Sequence, residues 1–429
     1  MIYLDYVSTT PLNKEVNQMY QSLLNDYFAN ADSLYSLGLQ TSSLMEKSRS
    51  LIAQMLNVKP TEIIFTSGAS ESNNTAIKGC AFQYQNRGKH IITTAIEHSS
   101  VYNTCLQLRD VFGFDVDFIS VDQNGHIDLD ELKNKIRDDT ILISIMYVNN
   151  EIGSIQPIDK IRELILNMNP KIKLHVDMVQ ALGKIPVDLS LVDMASFSAH
   201  KIYGLKGSGV LYKKESTTLV PLICGGQQEN NLRGGTSNTA THIMFAKTLR
   251  LALENQEQKF QHVHALNQYV RNELMREKDI VINSPIENCS PYILSFSAIG
   301  YKPEVILHAL EAKECYVSTK STCSSHKNDV SRTLAAMGVD DAIAKSAIRI
   351  SFSHLTTQEE IDEEVKEEIS EENAEKKADN EEAGEKIIEK NVNDDEKSTD
   401  KIIEENIVEE VDNKEIDEKI TDVANEDKN

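Results

Sequence analysis

The sequence predicts an α/β protein: a mostly parallel sheet with helices on both faces, then a smaller α/β unit, then an acidic tail. Three observations carry this. From about residue 16 to 255, short β-rich runs alternate with helix-patterned stretches. Such alternation calls for crossover helices and a sheet buried on both sides. Several residues able to do chemistry fall at the carboxyl ends of these runs, where open α/β sheets hold their ligands. Near residue 358 the composition changes to Glu, Lys, Asp, Asn and Ile.

Taken in order, the expected strands are 62–66, 90–94, 115–119, 140–146, 173–177, 194–198 and 209–213, with helices such as 43–55 and 130–137 between them. They define a large domain over 16–258. A second unit follows over 259–357, with strands near 292–297 and 347–353. A chain of 429 residues accommodates two packed domains. The tail, 358–429, is expected to be disordered. Residues 359–429 hold 30 acidic residues and 10 lysines, so they carry −20 of the formal net charge of −23. With no aromatic residue, such a segment cannot bury enough apolar surface to offset its ordering entropy. Ile403, Ile407 and Val411, then Ile416 and Ile420, share the spacing of one helix face. A segment that turns helical against a partner is therefore the alternative.

The remaining chain is close to neutral and has no basic run, which argues against direct nucleic-acid binding. No apolar run approaches the roughly twenty residues of a membrane span. The six cysteines, Cys80, Cys105, Cys224, Cys289, Cys315 and Cys323, form no Cys-x-x-Cys pair and no metal-ligand spacing, so no metal site is expected. Without a signal peptide, reduced thiols and a cytoplasmic location are expected.

Residues 196–209 read Ser-Phe-Ser-Ala-His-Lys-Ile-Tyr-Gly-Leu-Lys-Gly-Ser-Gly. Lys201 ends an apolar run, and Gly204, Gly207 and Gly209 let backbone approach a bound group. Lysines in such settings form Schiff bases with carbonyls. An exposed lysine in a Gly-rich hairpin is the plain alternative. Upstream, Leu-His-Val-Asp closes a strand at Asp177. A carboxylate there suits the protonated ring nitrogen of pyridoxal 5'-phosphate (PLP). Residues 63–70, Ile-Ile-Phe-Thr-Ser-Gly-Ala-Ser, read as a strand, a turn and a helix start, whose free N–H groups and hydroxyls suit a phosphate.

With these residues in hand, the chain resembles cysteine desulfurases of the nitrogen-fixation type (group I), in the class V PLP-dependent aminotransferase superfamily. The likeness runs from residue 2 to about 357. Eight ordered motifs carry it: Phe65-Thr66-Ser67-Gly68-Ala69-Ser70-Glu71-Ser72-Asn73, Glu97-His98, Val148-Asn149-Asn150-Glu151-Ile152-Gly153, Asp177-Met178-Val179-Gln180, Ser198-Ala199-His200-Lys201, Arg233-Gly234-Gly235-Thr236, Ser321-Thr322-Cys323-Ser324-Ser325 and Ile348-Arg349-Ile350-Ser351.

The resemblance implies the fold-type I PLP-dependent transferase fold, with residues 1–15 joining 259–357 in the small domain. It implies a homodimer that converts L-cysteine to alanine and leaves a persulfide on Cys323, for iron–sulfur cluster assembly or tRNA and cofactor thiolation. Lys201 would capture the cofactor aldehyde and move the proton at the substrate Cα. Asp177 would pair with the ring nitrogen. His98 would stack on the ring and handle protons, and Val179 would pack on the opposite face. Gln180 would bond the ring oxygen, and Asn150 would sit near that oxygen and the substrate carboxylate. Ala69, Ser70, Ser198 and His200 would take the phosphate, with Thr236 reaching that of the neighbouring subunit. Arg349 would clamp the substrate carboxylate. Cys323 would be the nucleophile, flanked by Lys320 and His326 in the polar stretch 318–329, and the one residue to touch an iron–sulfur cluster transiently.

Ser70 stands where threonine is usual, and Lys320 and Met178 stand where small residues are usual. The N-terminal Tyr6-Val7-Ser8 is also less usual. The usual segment after Thr357 that contacts an iron–sulfur scaffold is not recognisable, so the protein sulfur acceptor stays open between such a scaffold, a tRNA-thiolation enzyme and another carrier. The alternatives are a selenocysteine lyase, a class V aminotransferase, or a catalytically weakened sulfur-pathway scaffold working through the tail. The joint presence of Lys201, Asp177, His98, Cys323 and Arg349 argues against the last.

Overall fold

The computed structural model describes residues 1–319 and 330–362. The expectations for Lys320, Cys323 and His326, and for the tail beyond residue 362, lie outside them. After a short first strand, β1 (Ile2–Tyr3), the apolar runs form β2 (Ile63–Thr66), β3 (His90–Thr94), β4 (Asp115–Ile119), β5 (Thr140–Met146), β6 (Lys173–Asp177), β7 (Met194–Ser198) and β8 (Gly209–Lys213). These seven build one sheet in the order β2-β8-β7-β6-β5-β3-β4. Five neighbouring strands, β3 to β7, pair in parallel, and only β8 runs antiparallel, against β7 and β2. The expected mostly parallel seven-stranded sheet is thus observed.

Every residue of β3 and β5 is buried. Their polar residues are buried too, His90, Thr93 and Thr94 in β3 and Thr140 and Ser144 in β5, so neither strand alternates apolar with polar. Side chains still alternate between faces. Ile91 and Leu142 pack in one core with Ile77, Val101 and Leu108 from the helices Ala69–Tyr84 and Ser99–Phe112. Ile92 and Ile143 pack in the other with Ile52, Ile161 and Leu249 from Ser36–Met55, Ile158–Met168 and Thr239–Leu253. Because β8 is the only reversed strand, the carboxyl ends of β2, β3, β5, β6 and β7 share one edge.

A second sheet holds β9 (Ile280–Ile282), β10 (Ile293–Ala298) and β12 (Ala347–Ser351) in the antiparallel order β12-β10-β9. Strand β1 pairs in parallel with β11 (Cys315–Tyr316), and Ser351 N–H donates to Leu4 O at 2.7 Å. The N-terminus is thus joined to residues more than 300 positions away. The next residues turn toward the large sheet, where Thr10 N–H donates to His200 O at 3.0 Å.

Strand β2 begins at Ile63 rather than at residue 62, because Glu62 lies in the 3₁₀ turn Pro60–Glu62, and two helices also differ in their bounds. The helix expected over 43–55 begins at Ser36. Gly38 lies inside this helix, where a Cβ would come within 2.4 Å of Ser33 O. The helix expected over 130–137 spans Leu129–Lys135, started by Asp128, whose carboxylate accepts from Asp130 and Glu131 N–H. Met1–Val365 is one compact unit. The packed chain runs past the boundary expected at 358: Ile361 is buried in the main core, and Tyr269 Oη donates to Asp362. One apolar anchor within an acidic stretch is invisible to averaged composition. Among the described residues no helix is long and apolar enough to cross a membrane.

Candidate active site

Strand ends turn into loops here, and the loops leave a cavity of about 490 Å³. Ala69, Ser70, His98, Asn150, Asp177, Val179, Gln180, Ser198, His200, Lys201 and Arg349 all line it. Of the expected site residues within the described chain, only Thr236 does not; it is exposed.

One end of the cavity suits an anion. Strand β2 stops at Thr66, and Gly68 with φ +149° turns the chain into the helix Ala69–Tyr84. No side chain caps that helix, so its first N–H groups remain directed at the cavity with the positive end of the helix dipole. Gly209 is required beside it, since a Cβ there would stand 2.5 Å from Gly68 Cα. Glu71 accepts from Ser67 N–H at 3.0 Å and from Arg233 Nε at 3.1 Å. Burial opposes its ionisation, but these bonds outweigh burial and lower its pKa. Glu71 thereby ties the turn to the segment that carries Thr236.

Asp177 closes β6 as a buried carboxylate with both oxygens held. Val179 N–H donates to Oδ1 at 3.1 Å, and Asn73 Nδ2 donates to Oδ2 at 2.8 Å. Asn73 Nδ2 also reaches Ser100 Oγ at 2.8 Å, and Ser100 Oγ lies 2.8 Å from His98 Nδ1. Ser100 N–H donates to the same ring nitrogen at 3.2 Å. Nδ1 is therefore an acceptor, and a neutral His98 carries its proton on Nε2. Burial lowers the His98 pKa, with Lys201 and Arg332 adding to the effect and Asp177 opposing it. A neutral imidazole also suits its place as the N-cap of Ser99–Phe112. His200, whose Nδ1 lies 3.1 Å from Thr9 Oγ1, is held down to about 4 by burial and by Lys201 and Lys206.

Lys201 follows β7 in a single 3₁₀ turn, Ala199–Lys201. Its Nζ donates to Val7 O at 2.7 Å and Ser8 O at 2.6 Å, so the N-terminal segment forms part of the cavity wall. Arg349 lies opposite on β12, 3% exposed. Its Nη2 meets Asp5 Oδ1 at 2.7 Å and Ser8 Oγ at 2.9 Å, and its Nη1 meets Asn150 O at 3.0 Å. Its Nε is buried and finds no partner among the described residues. A buried arginine with spare donor capacity in a cavity wall is equipped to take a carboxylate.

The aminotransferase class-V family matches residues 2–363. The chain belongs to that family. Class-V relatives include a NifS/IcsS protein homolog of Lactobacillus delbrueckii subsp. bulgaricus, 44% identical over 366 residues, which are 84% of this chain and 94% of that protein. The cysteine desulfurase IscS of Dictyoglomus turgidum is 41% identical over 84% of this chain and 92% of its own length. A solved NifS-like protein superposes with a TM-score of 0.80 at 36% identity, covering 85% of this chain and 97% of that one.

Within this class-V chain, four contributors went unassigned in the sequence. Asn73 and Asp5 orient site residues over separations of 104 and 344 positions, and Ser100 sets the tautomer of His98. The signal for Asn73 was its place in a quoted motif; Asp5 left none. Lys206, exposed beside Gly207, also lines the cavity. Among the described thiols, Cys80, Cys105 and Cys315 are buried, as their apolar contexts suggested. Burial pushes the Cys105 and Cys289 thiols up to about 12. Cys224 is exposed but does not line the cavity.

Proposed function

We propose that this chain is a PLP-dependent cysteine desulfurase that takes sulfur from L-cysteine for iron–sulfur cluster assembly. The observation that carries the reading is the gathering of an amine, a held buried carboxylate, an uncapped helix N-terminus and a spare-donor arginine around one cavity of about 490 Å³. These groups fit PLP: Lys201 for its aldehyde, Asp177 for its ring nitrogen, the Gly68–Ala69–Ser70 turn with Ser198 and His200 for its phosphate, and Gln180 for its ring oxygen. Bound there, PLP supplies the electron sink that lets bonds at the substrate Cα break.

The chain's own side chains do the rest. Asp177, fixed by Asn73 and Val179, keeps the ring nitrogen protonated. Arg349 and Asn150 hold the substrate carboxylate and orient the reacting carbon. Lys201 carries the proton at Cα. His98 presents Nε2–H to the cavity as a donor. The Cys323 thiolate attacks the substrate sulfur; the Cβ–S bond breaks, alanine leaves after protonation, and the sulfur stays on Cys323 as a persulfide. Cys323 itself lies outside the described residues, which end on one side at Ser318 and Thr319 and resume on the other at Val330. Ser318 exchanges backbone bonds of 2.6 and 3.1 Å with Arg349, and Arg332 Nε donates to Ala95 O at 3.1 Å, close to His98.

In the same reading, Thr236 completes the phosphate site of a second subunit in a homodimer. The sulfur acceptor is an iron–sulfur scaffold or a tRNA-thiolating enzyme in the cytoplasm. Residues 16–258 act as the large domain, and 1–15 with 259–362 as the small one. The deciding experiment uses Cys323→Ser. The variant should bind PLP and change its visible spectrum on adding L-cysteine, yet release no sulfide and carry no ³⁵S label. Undiminished sulfide release would move the reading to another lyase.

A further inference from the structure

Lys184 has no part in the reaction just described, yet it is buried in the molecule beneath the cavity, 7% exposed. Burying an ammonium group is unfavourable unless the group is engaged. Its charge is met by an amide oxygen and an aromatic face rather than by a carboxylate. Nζ donates to Gln180 Oε1 at 2.6 Å and lies 5.8 Å from the Tyr292 ring centroid. Burial, with the charges of Lys201 and Arg349 nearby, pulls its pKa down to about 7. Either protonation state keeps an N–H to donate.

An amide has one accepting end and one donating end. Lys184 has donors to offer, and the end of Gln180 that faces it is Oε1. The other end, Nε2, then points back toward the cavity. There it donates to Val7 O at 3.2 Å, the same carbonyl that accepts from Lys201 Nζ at 2.7 Å. Without Lys184 only the 3.2 Å bond to Val7 O, a carbonyl shared with Lys201, would oppose turning the amide over to offer an oxygen to the cavity. An oxygen there would repel the ring oxygen of PLP, whereas the nitrogen donates to it.

We propose that Lys184 is a positioning residue: by holding Gln180 Oε1 it commits the Gln180 nitrogen to the ring oxygen of bound PLP. The inference rests on the PLP reading of this cavity and adds a residue that never touches the cofactor. Lys184 acts through Gln180, so its removal matters only to a ligand that carries the ring oxygen.

The test compares equilibrium binding of PLP and of its 3-deoxy analogue, which lacks that oxygen, to the full-length apoprotein. Wild type should prefer PLP by about tenfold, the worth of one hydrogen bond to a charged group. Lys184→Met should lose that preference by weakening PLP alone, leaving the analogue within about twofold of wild type. Lys184→Arg, which still donates, should keep the preference. Gln180→Leu should abolish it, and adding Lys184→Met to Gln180→Leu should change nothing further. Should Lys184→Met fail to fold, Lys184→Gln replaces it: one bond shorter, it stays polar but draws back from Gln180, and the same loss is expected. Equal weakening of both ligands would reduce Lys184 to a structural role and overturn the proposal. An unchanged preference in Lys184→Met would overturn it too. A wild type that binds both ligands equally would remove the inference and leave the cofactor reading standing; one that binds neither would remove both.

Discussion

The deep wall of the cavity comes from successive strand ends of one sheet, whereas the outer wall is drawn from the two ends of the described chain. His98, Asp177, Ser198 and Lys201 each lie within four residues of the end of β3, β6 or β7. Their placement follows from strand register, and they converge because those strands run in parallel. Asp5, Ser8 and Arg349 meet only because β1 pairs with β11 and Leu4 pairs with Ser351. The deep wall is therefore fixed as soon as the sheet forms. The outer wall depends on contacts closing a loop of more than 300 residues, whose closure entropy the sheet does not offset. A difference of this kind predicts a division of labour, with cofactor chemistry held rigidly below and substrate capture above, where the packing can adjust.

The largest effect on turnover should come from the deep wall. Asp177→Asn removes the anion and keeps only one of the bonds from Val179 and Asn73, because its amide nitrogen cannot accept. Alanine production should fall roughly 10²-fold or more, the usual consequence of deleting one fixed electrostatic partner. Ultraviolet–visible titration should show weaker PLP binding as well. A variant that turned over normally would break the contrast between the walls.

Asp5→Asn should give a smaller effect of another kind. It loosens Arg349 without touching the sheet. KM for cysteine should rise about tenfold, as expected for weakening a charge-assisted bond, while PLP affinity stays unchanged. If steady-state kinetics showed kcat and PLP affinity falling together, the outer wall would not be separable from the deep one.

The smallest effect on turnover should come from Glu97, which lies under the deep wall just before His98. Its Oε1 accepts from Met146 N–H at 2.9 Å and Thr94 Oγ1 at 2.8 Å, while Oε2 is buried without a partner among the described residues. Burial raises its pKa from 4.5 to about 8, with Asp177 adding to the rise and the two bonds opposing it. The folded protein thus keeps a proton that the unfolded chain has released. The associated stability is present below the unfolded value and is lost as pH rises through the folded one. Glu97→Gln should keep turnover within about twofold and flatten the decline in stability between pH 5 and 8 by about 1–3 kcal/mol. Denaturant melts at both pH values measure this; a parallel decline in variant and wild type would refute it.

Much of this was legible in the sequence for identifiable reasons. The strands 90–94, 115–119, 140–146, 173–177, 194–198 and 209–213 coincide with β3 to β8, because each is a short β-rich run set off by turns or helix-patterned stretches. Lys201 and Asp177 could be chosen because strand ends have a local signature and their chemistry calls for those residue types. Helix beginnings were less clear, since Gly38 is needed for close packing rather than for a turn. Ile361 went unseen because one buried isoleucine is lost within an acidic stretch.

The sequence alone therefore determined the sheet and which amine, carboxylate and helix start lie at the edge that bears the cavity, because each depends on a short stretch of chain and a repeating backbone geometry. Only the tertiary structure decided which partners hold those groups. Asn73 on Asp177, Ser100 on His98, Asp5 on Arg349 and Val7 beneath Lys201 owe their places to packing between distant segments. A hydrogen bond between residues 104 or 344 positions apart leaves no periodicity behind. It exists only once the two surfaces meet, and its direction is set by which ends of each side chain remain free.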